Sequence, residues 1–172
     1  FSKLKGMDAY LSPEMKSTGE AIGYDDKLHR ALYKAMVASG IKVQNYGTVL
    51  VTLADEDKEE ALPLIRRFYD MGFNIEATMG TANFLKANGI RTRMRGKLSE
   101  GSKDVLESIR ADYVSYVINT RAILSGVHNE DGVAIRRCAS ENHVTMFTSL
   151  DTVRVLLDVL EERTMKIGLI TD

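Results

Sequence analysis

The feature that most constrains this chain is an alternation that begins at Thr48. The run TVLVTLA (48–54) is almost continuously apolar and β-branched, as a strand buried on both faces has to be. DEDKEEALPLIRRFYDMG (55–72) then reads as a helix with acidic residues in its first turn and Gly72 after its end. Pro63 sits inside that pattern and either belongs to the first turns or bends the helix. FNIEAT predicts a short strand, TANFLKANG a short helix ending at Gly89, RTRMR a strand and SKDVLESIRAD a helix. YVSYVINT (113–120) is a second strongly apolar strand. DGVAIRRCASEN (131–142) follows as a helix, VTMFT as a strand, and SLDTVRVLLDVLEERT (149–164) as a final amphipathic helix. Its inward stripe is Leu150, Val153, Leu156, Leu157 and Leu160. Such alternation implies right-handed βαβ units. The expected fold is α/β, a three-layer open parallel sheet of about five strands with helices on both faces, of the Rossmann type. Strand order is not contained in this pattern.

Upstream of Tyr46-Gly47 the character is different. Residues 1–25 are polar and interrupted by Pro13, Gly19 and Gly23. KLHRALYKAMVASG reads as one helix with Leu28, Leu32, Ala35 and Met36 at helical spacing and Gly40 as its cap, and IKVQNYG as a connector. Segment 1–46 is too small and polar for a core of its own and reads as the trailing edge of a neighbouring domain, with 47–172 as the α/β domain. Phe1 in place of Met leads us to expect a piece of a longer polypeptide.

Lys plus Arg is 23 and Asp plus Glu is 24, a net charge of −1, which argues against a general nucleic-acid binder. No apolar run approaches the roughly 20 residues of a membrane helix, and no signal peptide is visible. Cys138 is the single cysteine and cannot form an internal disulfide, which favours a reducing, cytoplasmic setting.

In an open parallel sheet, ligands bind beyond the carboxyl ends of the strands. After the first strand, ADEDKEE offers one cation, Lys58, among acids that by themselves read as a solvated helix start. After the second come Thr78, Met79, Gly80 and Thr81 at a helix N-terminus. One hydroxyl would suffice for an ordinary N-cap. Two hydroxyls flanking a glycine point to a phosphate cradle. Removing both hydroxyls should then weaken the ligand and leave the fold intact. In the third strand, Arg91, Arg93, Arg95 and Lys97 share one face. They read either as an edge strand guarded by charge or as anion ligands, with Lys97, at the carboxyl end, the better ligand candidate. Asn119 and Thr120 follow the fourth strand, and the long loop 121–130 opens with Arg121. Lys58, Thr78, Thr81, Lys97, Asn119 and Thr120 thus converge on one edge, a set suited to a phosphate monoester. The three histidines lack metal spacing, and there is no nucleophile elbow, Walker loop or GxGxxG fingerprint. We assign no catalytic and no metal-binding residue.

The run GTVLVTLADEDKEEALPL…GFNIEATMGTANFLKANGI…VINT…EDGVAIRRCA closely resembles the C-terminal regulatory domain, methylglyoxal-synthase-like in type, of the carbamoyl phosphate synthase large subunit. The resemblance covers about Tyr46 to Glu162, and SPEMKSTGEAIGYD upstream resembles the end of that subunit's second ATP-grasp half. It implies a ligase, glutamine-hydrolysing, that makes carbamoyl phosphate for pyrimidine and arginine synthesis with ATP and Mg or Mn. It implies that this domain does no chemistry, carries no cofactor, and binds a regulator such as UMP, UTP, IMP or phosphoribosyl pyrophosphate. The implied partners are the rest of the large subunit and the glutaminase small subunit, with a homo-oligomer as a further option, and neither nucleic acid nor membrane.

Phosphate contacts of the family match Lys58, Thr78, Thr81 and Lys97, with Gly80 in the cradle, and its nucleotide contacts match Asn119 and Thr120. Asp131 and Ile135 match positions that flank the base or ribose. Arg121 replaces a small hydroxyl residue of some members, an added cation that suits a ligand with more phosphate than a monophosphate. Members that respond to ornithine carry tyrosine where Met146 stands, which argues against that response. The rival from another class is methylglyoxal synthase itself, which needs a catalytic carboxylate in a Gly-Gly-Asp stretch where this chain has Gly96-Lys97-Leu98-Ser99-Glu100-Gly101.

Overall fold

The structure, a computed structural model, describes residues 26–96, 103–120 and 130–171. Lys97 and Arg121 lie outside the described residues. Five strands form one sheet: β1 (Thr48–Thr52), β2 (Asn74–Thr78), β3 (Thr92–Arg95), β4 (Val114–Asn119) and β5 (Thr145–Phe147). The helices are α1 (Asp26–Ala38), α2 (Lys58–Asp70), α3 (Met79–Ala87), α4 (Asp104–Arg110), α5 (Glu130–Glu141) and α6 (Leu150–Thr171). A short 3-10 turn, Asp55–Asp57, leads into α2.

All pairings are parallel, in the order β3-β2-β1-β4-β5. The expected α/β class therefore holds. Side-chain chemistry explains the positions. The most apolar runs, β1 and β4, are buried along their whole length and lie inside the sheet. The arginine-bearing β3 is an edge strand, the position that a strand guarded by charge would take.

Two apolar layers hold the helices to the sheet. On one face Leu50, Val117 and Met146 belong to a buried cluster with Val105 and Ile109 of α4 and Ile135, Cys138 and Ala139 of α5. The other face is aromatic. Phe68 of α2 meets Phe73 edge-on at 5.2 Å and Tyr116 of β4 at 6.2 Å, and Tyr116 also lies 5.9 Å from Phe147 of β5.

Glycine stops several helices as expected. At Gly72 (φ 98°) the chain turns left-handed, the Gly72 N–H donates to the Tyr69 carbonyl, and the Phe73 N–H reaches back to Phe68. The end of α5 uses the same geometry without glycine. There His143 has φ 58°, and the Val144 N–H donates to the Ala139 carbonyl at 2.8 Å. Pro63 lies within an unbroken α2. Its missing N–H leaves the Glu59 carbonyl without its usual donor, and Glu59 is exposed, so solvent can supply one. The last helix runs to Thr171, beyond the expected end near Thr164: MKIGLIT holds no proline, and Gly168 costs only about 1 kcal/mol.

The chain divides into two compact units. One is Tyr46–Thr148 and contains the whole sheet with α2 to α5. In the other, residues 26–45 group with α6. The Arg163 guanidinium sits 4.2 Å over the Tyr33 ring, and the Asn45 side-chain amide donates to the Thr164 hydroxyl at 3.3 Å. The break near Tyr46 is where the sequence character also changes. The last helix, read in sequence as the end of domain 47–172, belongs to the unit that holds α1.

Candidate functional site

Strand order sets where a ligand can enter. The chain runs from β1 outward through β2 to β3, then returns to β4 on the other side of β1. That reversal between β1 and β4 opens a crevice at their carboxyl ends. The residues there are Thr52 at the end of β1 with Leu53 and Ala54 after it, and Asn119 at the end of β4 with Thr120 after it. The end of β2 adds Thr78 and the start of α3.

Four buried threonines knit these ends together. The Leu53 N–H donates to the Thr81 hydroxyl at 3.1 Å, and the Ala54 N–H to the Thr120 hydroxyl at 2.9 Å. The Thr120 N–H donates to the Thr52 carbonyl at 3.2 Å. The Thr78 hydroxyl donates to that of Thr52 at 3.2 Å. A hydroxyl that accepts a backbone N–H keeps its own proton for donation. Thr81 and Thr120 are therefore held in place as donors. Thr81 also has a structural role. Truncating it leaves the buried Leu53 N–H without an acceptor, a cost of about 1–3 kcal/mol. Removing both hydroxyls should therefore lower stability as well as weaken the ligand.

Thr78 occupies the N-cap position of α3 in an extended conformation, yet its side chain makes no cap hydrogen bond. The ordinary N-cap explanation of Thr78 is thereby excluded. The first turn of α3 has amide groups that no capping side chain serves, at the positive end of the helix dipole. Over this turn stands Lys58: its Nζ is 3.6 Å from where a Cβ on Gly80 would lie. Lys58 also pairs with Asp55 at 2.7 Å, and the Asp55 side chain is 95% exposed. Such an exposed pair contributes little and can yield to a bound anion.

Register completes the site. Arg95 pairs with Thr78 and Thr52 with Asn119, so one row crosses four strands at the carboxyl edge. Asn119 is 2% exposed, and its Oδ1 is buried without a hydrogen-bond partner among the described residues. A buried acceptor left unpaired costs about 1–3 kcal/mol, so the crevice favours a ligand that brings a donor. The structure thus brings together Lys58, Thr78, Gly80, Thr81, Asn119 and Thr120. Asp131 is the second residue of α5. Ile135 is buried in the apolar cluster with Leu50 and Val117.

Sequence reasoning missed Thr52, whose signal was a polar residue closing an otherwise apolar strand. It also missed Glu76, a carboxylate in the middle of an inner strand and 3% exposed. Glu76 accepts a hydrogen bond from the Ser108 hydroxyl at 2.9 Å and faces Arg95 Nε at 3.6 Å. The Arg95 guanidinium also donates to the Asp104 carbonyl, and the Gly96 N–H to the Asp104 carboxylate at 2.9 Å. The Tyr113 hydroxyl donates to Ser108 at 3.0 Å. Burial, and then the hydrogen bond with Glu76, push the Tyr113 phenol above its ordinary value. A phenol raised in the folded state stabilises the fold below the unfolded value and loses that contribution as pH climbs through the folded one. Above about pH 10, Tyr113→Phe should therefore unfold at higher pH than the parent, as followed by circular dichroism. Burial likewise pushes the Cys138 thiol up, the opposite of what a nucleophile needs.

A family model described as the MGS-like domain matches residues 60–148, just over half of the chain. The chain belongs to the MGS-like domain family. In this MGS-like domain the matched segment takes in β2 to β5 and the candidate residues Thr78, Gly80, Thr81, Asn119 and Thr120, and begins just after Lys58. Among the described residues no group of three or more His, Cys, Asp or Glu side chains could hold a metal ion, and no helix is long and apolar enough to cross a membrane. Gly80 tests the cradle cheaply. A Cβ there makes only ordinary contact with Lys58 Nζ, so Gly80→Ala should raise stability by about 0.5–1 kcal/mol, read as an upward shift in thermal midpoint. A larger residue, as in Gly80→Leu, should displace the ammonium and weaken anion binding at least tenfold in calorimetry.

Proposed function

We propose that this MGS-like domain is the C-terminal regulatory domain of a carbamoyl phosphate synthase large subunit and binds a phosphorylated effector at the β1–β4 crevice. The effector class is UMP, UTP, IMP or phosphoribosyl pyrophosphate. The observation that carries this proposal is the uncapped start of α3 beneath the Lys58 ammonium. Backbone amides, a dipole end and a cation there all favour one phosphate group. Thr81 and Thr120 donate to its oxygens, and Asn119 takes a donor from the ribose or base. Lys97 and Arg121 supply further positive charge. The domain itself performs no chemistry and needs no cofactor. ATP, Mg or Mn and the glutaminase partner belong to the remainder of a cytoplasmic enzyme serving pyrimidine and arginine synthesis. Binding here would tilt the distant catalytic sites by a coupling energy of about 1–3 kcal/mol.

Membership of the MGS-like family also favours a second reading, a lyase that eliminates phosphate from dihydroxyacetone phosphate. One set of measurements separates the two. Calorimetry with UMP, UTP, IMP and phosphoribosyl pyrophosphate should show saturable binding of at least one. Incubation with dihydroxyacetone phosphate should yield no methylglyoxal. Turnover would replace the regulatory proposal by the lyase, and four silent titrations would end it.

A further inference from the structure

The opposite edge of the sheet holds a cavity of about 560 Å³ that plays no part in the site above. Its lining includes the start of β2 at Asn74, the residues Arg91 and Arg93, the buried Glu76, and the rings of Tyr69 and Tyr113. The volume falls within the range of small-molecule pockets. Its electrostatics are asymmetric. The Glu76 carboxylate is already answered by Arg95 and Ser108. Arg91 and Arg93 are exposed, and the ion pair at Glu76 is made by Arg95. Arg93 lies in β3 and Arg91 just before it, and both line the cavity. Two guanidinium groups so placed form a fork for a carboxylate or phosphate. Edge protection alone would account for the charges. It does not account for a cavity behind them walled by two tyrosines, one of which, Tyr113, is hydrogen-bonded in place through Ser108.

We propose that this cavity is a second binding site, for a small molecule that carries a carboxylate or phosphate on a planar ring. Arg91 and Arg93 hold the anion, and the tyrosine rings pack against the flat part. The site is independent of the crevice at the carboxyl edge. Phthalate and phenyl phosphate serve as probes for the two anions, and methyl phosphate as the probe without a ring. Each is titrated into the 172-residue chain and followed by amide chemical shifts. Phthalate, phenyl phosphate or both should give saturable shifts at Arg91, Arg93 and Tyr113, with methyl phosphate at least tenfold weaker. The double variant Arg91→Gln/Arg93→Gln should weaken that binding at least tenfold, while Lys58→Met leaves it unchanged. Both arginines are exposed, so the double variant should keep the parent thermal midpoint; if it does not fold, Arg91→Gln alone is read, with a threefold loss expected. Shifts confined to Thr78, Thr81 and Asn119, no saturable shift, or equal affinity in the arginine variant would overturn the proposal. Equal binding of methyl phosphate would overturn its ring.

Discussion

Phe68→Ala is expected to lower the stability of this domain by about 3–5 kcal/mol, the usual cost of emptying a buried aromatic position. Phe68 is fully buried in α2, and its ring is the contact through which that helix meets Phe73 and Tyr116. Its removal takes away the transfer energy of the ring and leaves a cavity between two other rings that cannot close it. The loss is a large part of a typical total stability of about 5–15 kcal/mol. Urea unfolding should show the midpoint collapsing with little change in slope. A loss below about 1 kcal/mol would mean that the aromatic layer is not a core. Phe68→Leu, which refills most of the space, should recover more than half of the loss.

Lys58→Met should weaken binding of the phosphorylated effector about 10- to 100-fold, with almost no effect on stability. A hydrogen bond from a charged donor contributes about 1.5–3 kcal/mol, and methionine keeps most of the apolar stem without the ammonium. Stability should stay within about 0.5 kcal/mol, because the Lys58–Asp55 pair it removes is exposed at its acidic end. This separates Lys58 from Thr81, whose truncation also costs the fold its Leu53 hydrogen bond. Asp55→Asn should act in the opposite direction and tighten binding a few-fold, since the competing carboxylate is gone. Calorimetry on the three proteins reads all of this. Unchanged affinity in Lys58→Met would remove the cradle from the proposed function.

Much of the candidate site was legible in the sequence because its members sit just after strands, and strand ends are marked by where apolar runs stop. Thr78, Gly80, Thr81, Asn119 and Thr120 are all of this kind. What each hydroxyl does was not legible. Whether Thr78 caps its own helix or turns to Thr52 depends on a neighbour 26 residues away. Thr52 and Glu76 escaped notice because each is one polar residue inside an apolar run, and only register shows what stands opposite. The charges of β3 were ambiguous for the same reason. Arg95 is half of an ion pair because Glu76 lies on the adjacent strand, whereas Arg91 and Arg93 are left to the cavity and the solvent.

Local chemistry settled the α/β class, the approximate place of every strand, and the helix stops at Gly40, Gly72 and Gly89. Side-chain period, backbone freedom at glycine and the solubility of charge are all properties of neighbours in sequence. The order of the strands, the crevice between β1 and β4, the shared threonine hydroxyls and the helix stop at His143 belong to the tertiary structure. They arise from contacts between segments far apart in the chain, and their energies exist only once the sheet has set its register.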